Sequence, residues 1–168
     1  QPGDVIVTDR IAYPGIRTIA AQFDLILVGV DSDKDGMMPG QLDQICAEHH
    51  PRLLYCIPTI HNPTTATMPL QRRMDILKVA QHHHLHIIED DPYSLLMDSP
   101  LPALAALDHG RVSYVATLAK TLSPGLRTAY IALPSADMTR RVTAAIRAIA
   151  LTNAGLLSAL TARWMQTE

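Results

Sequence analysis

Six short apolar runs, separated by turn residues and polar stretches, form the main hydrophobic pattern of the chain. Several runs are continuous rather than alternating, which is typical of strands that are covered on both faces of a sheet. The predicted strands are 4–9, 25–30, 52–58, 85–90, 112–118 and 128–134. The last two predicted strands are joined by only about ten residues, which have no helical pattern. This connection is too short for a parallel crossover, so we expect one of the two strands to run antiparallel.

Helical signals lie between these runs. Pro39 precedes GQLDQICAEH, Pro69 precedes LQRRMDILKVAQHHH, and Ser135 precedes ADMTRRVTAAIRAIAL. Proline is favoured in the first turn of a helix, and serine is a good N-cap. The alternation of strands and helices predicts a three-layer α/β/α fold around a mostly parallel sheet.

The composition narrows the class of protein. With 168 residues, 48% of them hydrophobic and 18% charged, the chain is long enough for one well-packed domain and is unlike a disordered chain. A net charge of −2 excludes a global attraction to nucleic acid or anionic membranes, and no apolar run is long enough for a membrane span. Two cysteines, Cys46 and Cys56, favour a reducing, cytoplasmic compartment over a single disulfide.

Polar side chains are concentrated where predicted strands end. Because ligands of open α/β sheets bind beyond the carboxyl ends of the strands, these side chains are the candidates for a site. The candidates are Tyr13, Asn62, Asp90, Tyr93, Thr117, Lys120 and Arg127.

Each candidate has a chemical property that suits one part of a phosphorylated pyridine aldehyde. A partly desolvated Lys120 beside another cation would have a lowered pKa and form a Schiff base. A carboxylate at Asp90 would stabilise a protonated ring nitrogen. Arg127 and Thr117, with Ser123 as a further candidate, would bind a phosphate. Together these properties describe pyridoxal 5′-phosphate (PLP).

The remaining candidates suit the ring itself. Asn62 and Tyr93 would form hydrogen bonds with a phenolate oxygen, and Tyr13 would stack on an aromatic ring.

Taken one at a time, the candidate residues also have ordinary structural explanations. A lysine at a strand end is usually a solvated charge, for example, and Arg127 would equally pair with a nearby acid.

Three motifs in fixed order give the chain a family resemblance. HNPTT, IIEDDPY and LAKTLSPGLR resemble the motifs of fold-type-I PLP-dependent enzymes, the aminotransferase superfamily. More narrowly, TATMPLQRRMDIL, EDDPY and KTLSPGLRTAYIALP resemble the aminotransferase-like domain of MocR-type transcriptional regulators of the GntR family. In that family a winged helix-turn-helix DNA-binding domain precedes a PLP-binding domain.

The resemblance implies a role for each matching position. It implies that Lys120 carries PLP, that Asp90 contacts the pyridine nitrogen, and that Tyr93 completes the catalytic set. It also implies that Asn62 and Tyr93 contact the phenolic oxygen, that Thr117 and Arg127 bind the phosphate, and that Tyr13 stacks on the ring.

Two positions depart from the pattern of the family. Ala119 stands where many relatives have serine, so one contact to the phosphate or the lysine is lost. Thr65 stands where the family has glycine, so we expect the turn after Asn62 to avoid a positive φ.

The resemblance also implies a domain organisation. We expect residues 1–151 to be the central part of a PLP-binding large domain. We expect residues 152–168 to begin a connecting helix toward a C-terminal small domain that is outside this chain. Because fold-type-I sites are generally built at a dimer interface, a homodimer is expected as well.

Three functions follow as hypotheses. The first is the effector domain of a MocR-type regulator, which responds to an amino acid or amine and contacts DNA only through a domain absent from this chain. The second is a stand-alone class-I aminotransferase that moves an amino group between an amino acid and a 2-oxo acid, with Lys120 as general acid–base. The third is a scaffold that binds no cofactor.

A run of aspartates resembles a calcium loop. Asp31, Asp33 and Asp35 have EF-hand spacing, but the twelfth position is Leu42, where a bidentate glutamate is needed. The sequence therefore favours a simple turn before the helix at Pro39.

Two further clusters have structural explanations. His82, His83, His84 and His86 suggest a metal, but consecutive helix positions point in different directions, so we predict a polar helix end and no metal site. The arginines of RRVTAAIRAIA suggest a nucleic-acid-binding surface. Because the chain as a whole is acidic, we instead predict that they lie on a solvated helix face.

Overall fold

A six-stranded sheet forms the centre of the structure, a computed structural model that describes residues 1–152 and 154–166. Its order is β2-β1-β5-β6-β7-β8, and a two-stranded hairpin, β3–β4, lies apart from it. The strands are β1 Val5–Asp9, β2 Ile26–Val30, β3 Ser32–Asp33, β4 Gly36–Met37, β5 Leu53–Cys56, β6 His86–Asp91, β7 Val112–Thr117 and β8 Ala129–Ala132. All six predicted strands are in the large sheet.

The strand directions also agree with the prediction. Five strands, β2 through β7 in sheet order, run parallel, and β8 pairs with β7 in the antiparallel direction. The connection from β7 to β8 is too short for a crossover, which is the reason for the reversal. The prediction of a mostly parallel α/β/α fold is therefore confirmed.

Helices flank the sheet, and most begin at signals that the sequence contains. They are α1 Pro14–Gln22, α2 Pro39–His49, α3 Leu70–His82, α4 Leu104–Leu107, α5 Ala136–Ala150 and α6 Gly155–Trp164. Pro39 opens α2, and Pro69 is the N-cap residue of α3. The hydroxyl of Ser135 accepts a hydrogen bond from the Met138 N–H (3.1 Å) and caps α5.

Each face of the sheet has its own core. On one face, Val7, Leu54 and Ile87 are fully buried against residues of α2, α3 and α4. On the other face, Tyr55 and Ile57 pack with residues of α1. Both cysteines are free and buried. None of the described helices has the length and apolar character of a membrane span.

The aspartate run and the arginines of α5, for which the sequence favours a structural role over a binding site, have that role in the structure. The aspartate run folds as the β3–β4 hairpin before α2, where Asp31 pairs with Arg10 and Asp33 pairs with Arg72. The three arginines of α5 (Arg140, Arg141 and Arg147) are exposed. Both predictions, a turn and a solvated helix face, are confirmed.

A hydrogen bond joins α6 to the edge strand β8. The Tyr130 hydroxyl on β8 donates a hydrogen bond to Oγ1 of Thr161 (3.0 Å), which is fully buried. The predicted connecting helix over 152–168 includes residues 153, 167 and 168, which lie outside the described residues. The division of the chain at 151/152 stays a prediction.

A buried ion pair links α3 to the middle of the sheet. Arg73 and Glu89 are both fully buried, and Arg73 Nη1 lies 3.7 Å from Glu89 Oε1. The guanidinium also donates hydrogen bonds to four oxygens: those of the Met68, Pro58 and Pro102 carbonyls and of the Thr59 hydroxyl.

The carboxylate of this pair is equally well bound. It accepts hydrogen bonds from the backbone N–H groups of Leu104 (3.0 Å) and Ala105 (2.9 Å). Burial raises the pKa of Glu89 and lowers the pKa of Arg73, because both charged forms lose water. The ion pair and the hydrogen bonds of both side chains offset that loss.

We predict that Arg73→Met lowers the free energy of unfolding by ~3–5 kcal/mol, because it leaves the Glu89 charge buried without a partner. Urea unfolding measures the change. The double variant with Glu89→Gln should lose less than the sum of the two single variants. Arg140→Met, which removes an exposed pair with Asp137, is the control and should change stability by less than about 0.5 kcal/mol. A loss below about 1 kcal/mol for Arg73→Met would contradict the prediction.

Candidate functional site

A cleft of about 170 Å³ lies at the carboxyl ends of β5, β6 and β7. Because these strands are parallel and adjacent, the segments that follow them meet at one edge of the sheet. The cleft is lined by Tyr13, Ile57, Asn62, Asp90, Pro92, Tyr93, Thr117 and Lys120. The structure thus brings together six of the seven predicted site residues, and Arg127 is the one outside this lining.

Asp90 reaches the cleft because side chains alternate along β6. Burial alternates residue by residue from His86 to Asp91, so Ile88 and Asp90 lie on one face and Glu89 and Asp91 on the other. The face of Asp90 is the one that also holds Tyr55, since Tyr55 is the register partner of Ile88.

Tyr55 is a site residue that the sequence prediction missed. Its hydroxyl donates a hydrogen bond of 2.5 Å to Asp90 Oδ2. Burial raises the pKa of the Asp90 carboxyl, and the bond from Tyr55 lowers it in part. The available signal was a lone tyrosine within the apolar strand LLYC, since a buried phenol needs a polar partner.

The turn that carries Asn62 is anchored to the end of β1. Nε2 of His61 lies 3.4 Å from Asp9 Oδ2, and both side chains are buried. Nδ1 of His61 lies 2.7 Å from the Thr64 hydroxyl, and the Ser32 hydroxyl donates to Asp9 Oδ1. This chain of polar contacts, also missed from the sequence, holds the turn on both sides of Asn62.

The expectation for Thr65 is wrong. Thr65 has a φ of +61°, in the left-handed region that the sequence argument expected this turn to avoid. Two short hydrogen bonds hold it there: its N–H donates to the His61 carbonyl (2.6 Å), and its hydroxyl donates to the Thr64 carbonyl (2.7 Å). The turn keeps the backbone conformation that suits glycine although the residue is β-branched.

We predict that Thr65→Gly raises the free energy of unfolding by about 1 kcal/mol, because relief of left-handed strain exceeds the added entropy of the unfolded chain. Thermal or urea unfolding measures the change. Thr18→Gly within α1 is the matched control, and it should lower the free energy of unfolding by about 0.3 kcal/mol, the difference between the helix propensities of threonine and glycine. A Thr65→Gly protein less stable than the wild type would refute the strain argument.

Lys120 lies in the turn after β7 and lines the same cleft as Asp90. Its side chain is exposed, so the partial desolvation that the sequence argument assumed is not observed. Within residues 1–152 and 154–166, its amine has no hydrogen-bond or ion-pair partner. Lys34 and Lys78 are the other two lysines of the chain, and neither lines the cleft.

The predicted phosphate ligands are less well assembled. The Thr117 hydroxyl lines the cleft but donates to the Thr128 carbonyl (3.0 Å) and accepts from the Ala119 N–H (3.1 Å). Arg127 is exposed and has a φ of +44° at the end of a short 3₁₀ turn, Pro124–Leu126. The hydroxyl of Ser123 caps that turn through the Gly125 N–H (3.3 Å).

The histidine run ends α3, as predicted, with His82 as the last helical residue and His83 as the C-cap. His82 and His83 do not point apart as the sequence predicts, because their rings lie edge to face with centroids 4.7 Å apart. One atom each of Asp43, His82 and His83 lie within 4.8 Å of one another, which is metal-ligand spacing. The hydrogen bond between His83 Nε2 and Asp43 Oδ1 (2.7 Å) explains this approach without an ion, since it joins α3 to α2.

Comparison with known proteins identifies the family. The family model "Aminotransferase class I and II" matches residues 1–168. The chain belongs to this family. Class I and II aminotransferases are typically PLP-dependent. The family match therefore agrees with the resemblance that the three sequence motifs indicate.

Two curated relatives represent two kinds of protein. The uncharacterized HTH-type transcriptional regulator YdeF of Bacillus subtilis is 38% identical over 97% of this aminotransferase-family chain and 35% of its own length. An aromatic amino acid aminotransferase of Schizosaccharomyces pombe is 31% identical over 77% of this chain and 33% of its own length. The chain therefore spans only a minor part of each relative.

A solved aminotransferase structure has the same fold. LysN, an α-aminoadipate aminotransferase from Thermus thermophilus, superimposes with a TM-score of 0.94 over 99% of this chain and 44% of its own, at 24% identity. This likeness supports the fold of the six-stranded sheet and of its flanking helices.

Proposed function

We propose that this chain is the PLP-binding, aminotransferase-like effector domain of a MocR-type regulator of the GntR family. The observation that carries the proposal is the cleft in which Lys120 and Asp90 lie together with Asn62 and Tyr93. An amine, a half-buried carboxylate, an amide and a phenol are the groups that an aldehyde, a pyridine nitrogen and a phenolic oxygen require.

Each side chain has a defined task in this proposal. Lys120 provides the amine that binds the aldehyde, and Asp90 holds a proton on the ring nitrogen. Asn62 and Tyr93 form hydrogen bonds with the phenolic oxygen, while Tyr13 stacks on the ring. Held by these side chains, the cofactor would supply an electron-withdrawing pyridinium ring.

The phosphate is assigned to Arg127 and Thr117. A guanidinium is well suited to bidentate binding of phosphate, and Arg127 lies on the segment that follows Lys120. In the structure Arg127 is exposed and Thr117 is bonded to the backbone of the same segment. The assignment therefore requires the segment over 118–128 to turn the Arg127 side chain toward the cleft when phosphate binds.

The relatives favour a regulator. The match to the regulator YdeF extends over 97% of the chain, against 77% for the aromatic amino acid aminotransferase. In a regulator, an amino acid or amine would compete with Lys120 for the aldehyde. Binding of that compound must differ between two conformations of the domain to change DNA affinity. DNA contacts through another domain, a homodimer and a cytoplasmic location belong to this proposal.

A class-I aminotransferase is the second candidate, because the enzyme from Schizosaccharomyces pombe is also 31% identical to the chain. In that function the Lys120 amine, once released from the aldehyde, would move a proton on the substrate as general acid–base. The same cleft serves both candidates, so the outcome of amine binding distinguishes them.

We predict that the full-length protein binds PLP covalently through Lys120. After addition of PLP, the wild type should develop a visible absorption band, and borohydride should fix the label on the Lys120 peptide. Lys120→Ala should abolish both signals. Lys34→Ala and Lys78→Ala are matched controls that should keep them, because these lysines lie outside the cleft. A folded wild type without label on Lys120 would refute both candidate functions.

We further expect an amino compound to alter DNA binding without turnover. The measurements are the affinity of the PLP-loaded full-length protein for its DNA and the formation of 2-oxo acid from a panel of amino acids. Amine-dependent DNA affinity with no oxo-acid product supports the regulator. Sustained oxo-acid formation, with DNA affinity unchanged, supports the aminotransferase instead.

A further inference from the structure

Two tyrosine–aspartate pairs occupy opposite faces of the sheet near the carboxyl end of β6. On one face the Tyr55 hydroxyl donates to Asp90 Oδ2 at 2.5 Å. On the other face the Tyr114 hydroxyl donates to Asp91 Oδ2 at 2.7 Å. The pairs are alike in chemistry and come from strands on either side of β6, but only Asp90 lines the cleft.

The Tyr55 pair is built rigidly. Tyr55 is 8% exposed and packs with Ile57 and Ile16 between β5 and α1. A phenol held in a packed core has little freedom, so its hydroxyl fixes the carboxylate that it contacts. In the described part of the chain, Oδ2 of Asp90 has this hydrogen bond and Oδ1 has none, which leaves Oδ1 for a ligand.

We propose that Tyr55 is a positioning residue for Asp90, and that its hydrogen bond keeps the Asp90 carboxylate ionised and oriented toward the ring nitrogen of a bound pyridine cofactor. This inference rests on the proposed function, because it requires PLP in the cleft. Tyr55 is absent from the cleft lining and acts only through Asp90.

The physical reason is a competition for one proton. Burial raises the pKa of Asp90, which favours the neutral acid, while a hydrogen bond from a phenol favours the carboxylate. Without Tyr55, Asp90 becomes a stronger base than it is in the wild type. The shared proton would then shift from the nitrogen toward Asp90, and the ring would lose part of its positive charge.

The test compares Tyr55→Phe with Tyr114→Phe in the full-length protein loaded with PLP that carries ¹⁵N in the ring. Tyr55→Phe should weaken PLP binding by about tenfold, because the contact between Asp90 and the ring nitrogen would lose part of its charge. It should also move the ring ¹⁵N resonance toward that of unprotonated pyridine. Tyr114→Phe removes the same kind of bond on the other face and should leave both readouts at wild-type values.

A second variant covers the case in which Tyr55→Phe does not fold. Site-specific replacement of Tyr55 by 3-fluorotyrosine keeps the shape and makes the phenol a stronger donor, so the ¹⁵N resonance should move further toward the protonated value. A purely structural role for Tyr55 would change stability but not the ring nitrogen.

The outcomes separate the two levels of the argument. If the wild type does not bind PLP, the proposed function and this inference both fail. If the wild type binds PLP on Lys120 but Tyr55→Phe and the 3-fluorotyrosine protein keep its ¹⁵N resonance and its affinity within twofold, the proposed function stands and the role of Tyr55 is wrong.

Discussion

The arrangement of the cleft depends most on the buried guanidinium of Arg73. It binds the carbonyl oxygens of Pro58 and Met68, which lie on either side of the turn that carries Asn62, and it pairs with Glu89 in the middle of β6. A buried charge is costly unless all its donors are satisfied. The position of α3, the conformation of the turn and the placement of β6 are therefore coupled through one side chain.

The fold was largely predictable because its signals are local. Each strand of the large sheet is a short apolar run, and the brief link between β7 and β8 determines their relative direction. Two helices were not predicted, for different reasons. The helix α1 begins at Pro14, a start signal that was available, whereas α4 is a single turn of four residues that leaves no periodic pattern.

The candidate site was predictable only as far as topology determines it. Because β5, β6 and β7 are neighbouring parallel strands, the residues that follow them lie at the same edge of the sheet. The topology alone therefore predicts that Asn62, Asp90 and Lys120 lie close together. The hydrogen bond from Tyr55 depends on the register between β5 and β6, which one sequence does not reveal. The positive φ of Thr65 depends on hydrogen bonds within its own turn, which outweigh the preference of a β-branched side chain.

Three consecutive carboxylates on β6 have consequences for how this segment can change in evolution. Glu89 and Asp91 lie on the face of α3, while Asp90 between them lies on the face of the cleft. A slip of one residue would exchange the faces. In one direction Glu89 would replace Asp90 at the cleft and Ile88 would replace Glu89 opposite Arg73; in the other direction Asp90, shorter by one methylene, would face Arg73. An insertion or deletion within β6 would therefore alter the acid of the cleft and the partner of Arg73 together, whereas one in the flanking loops would leave both in place.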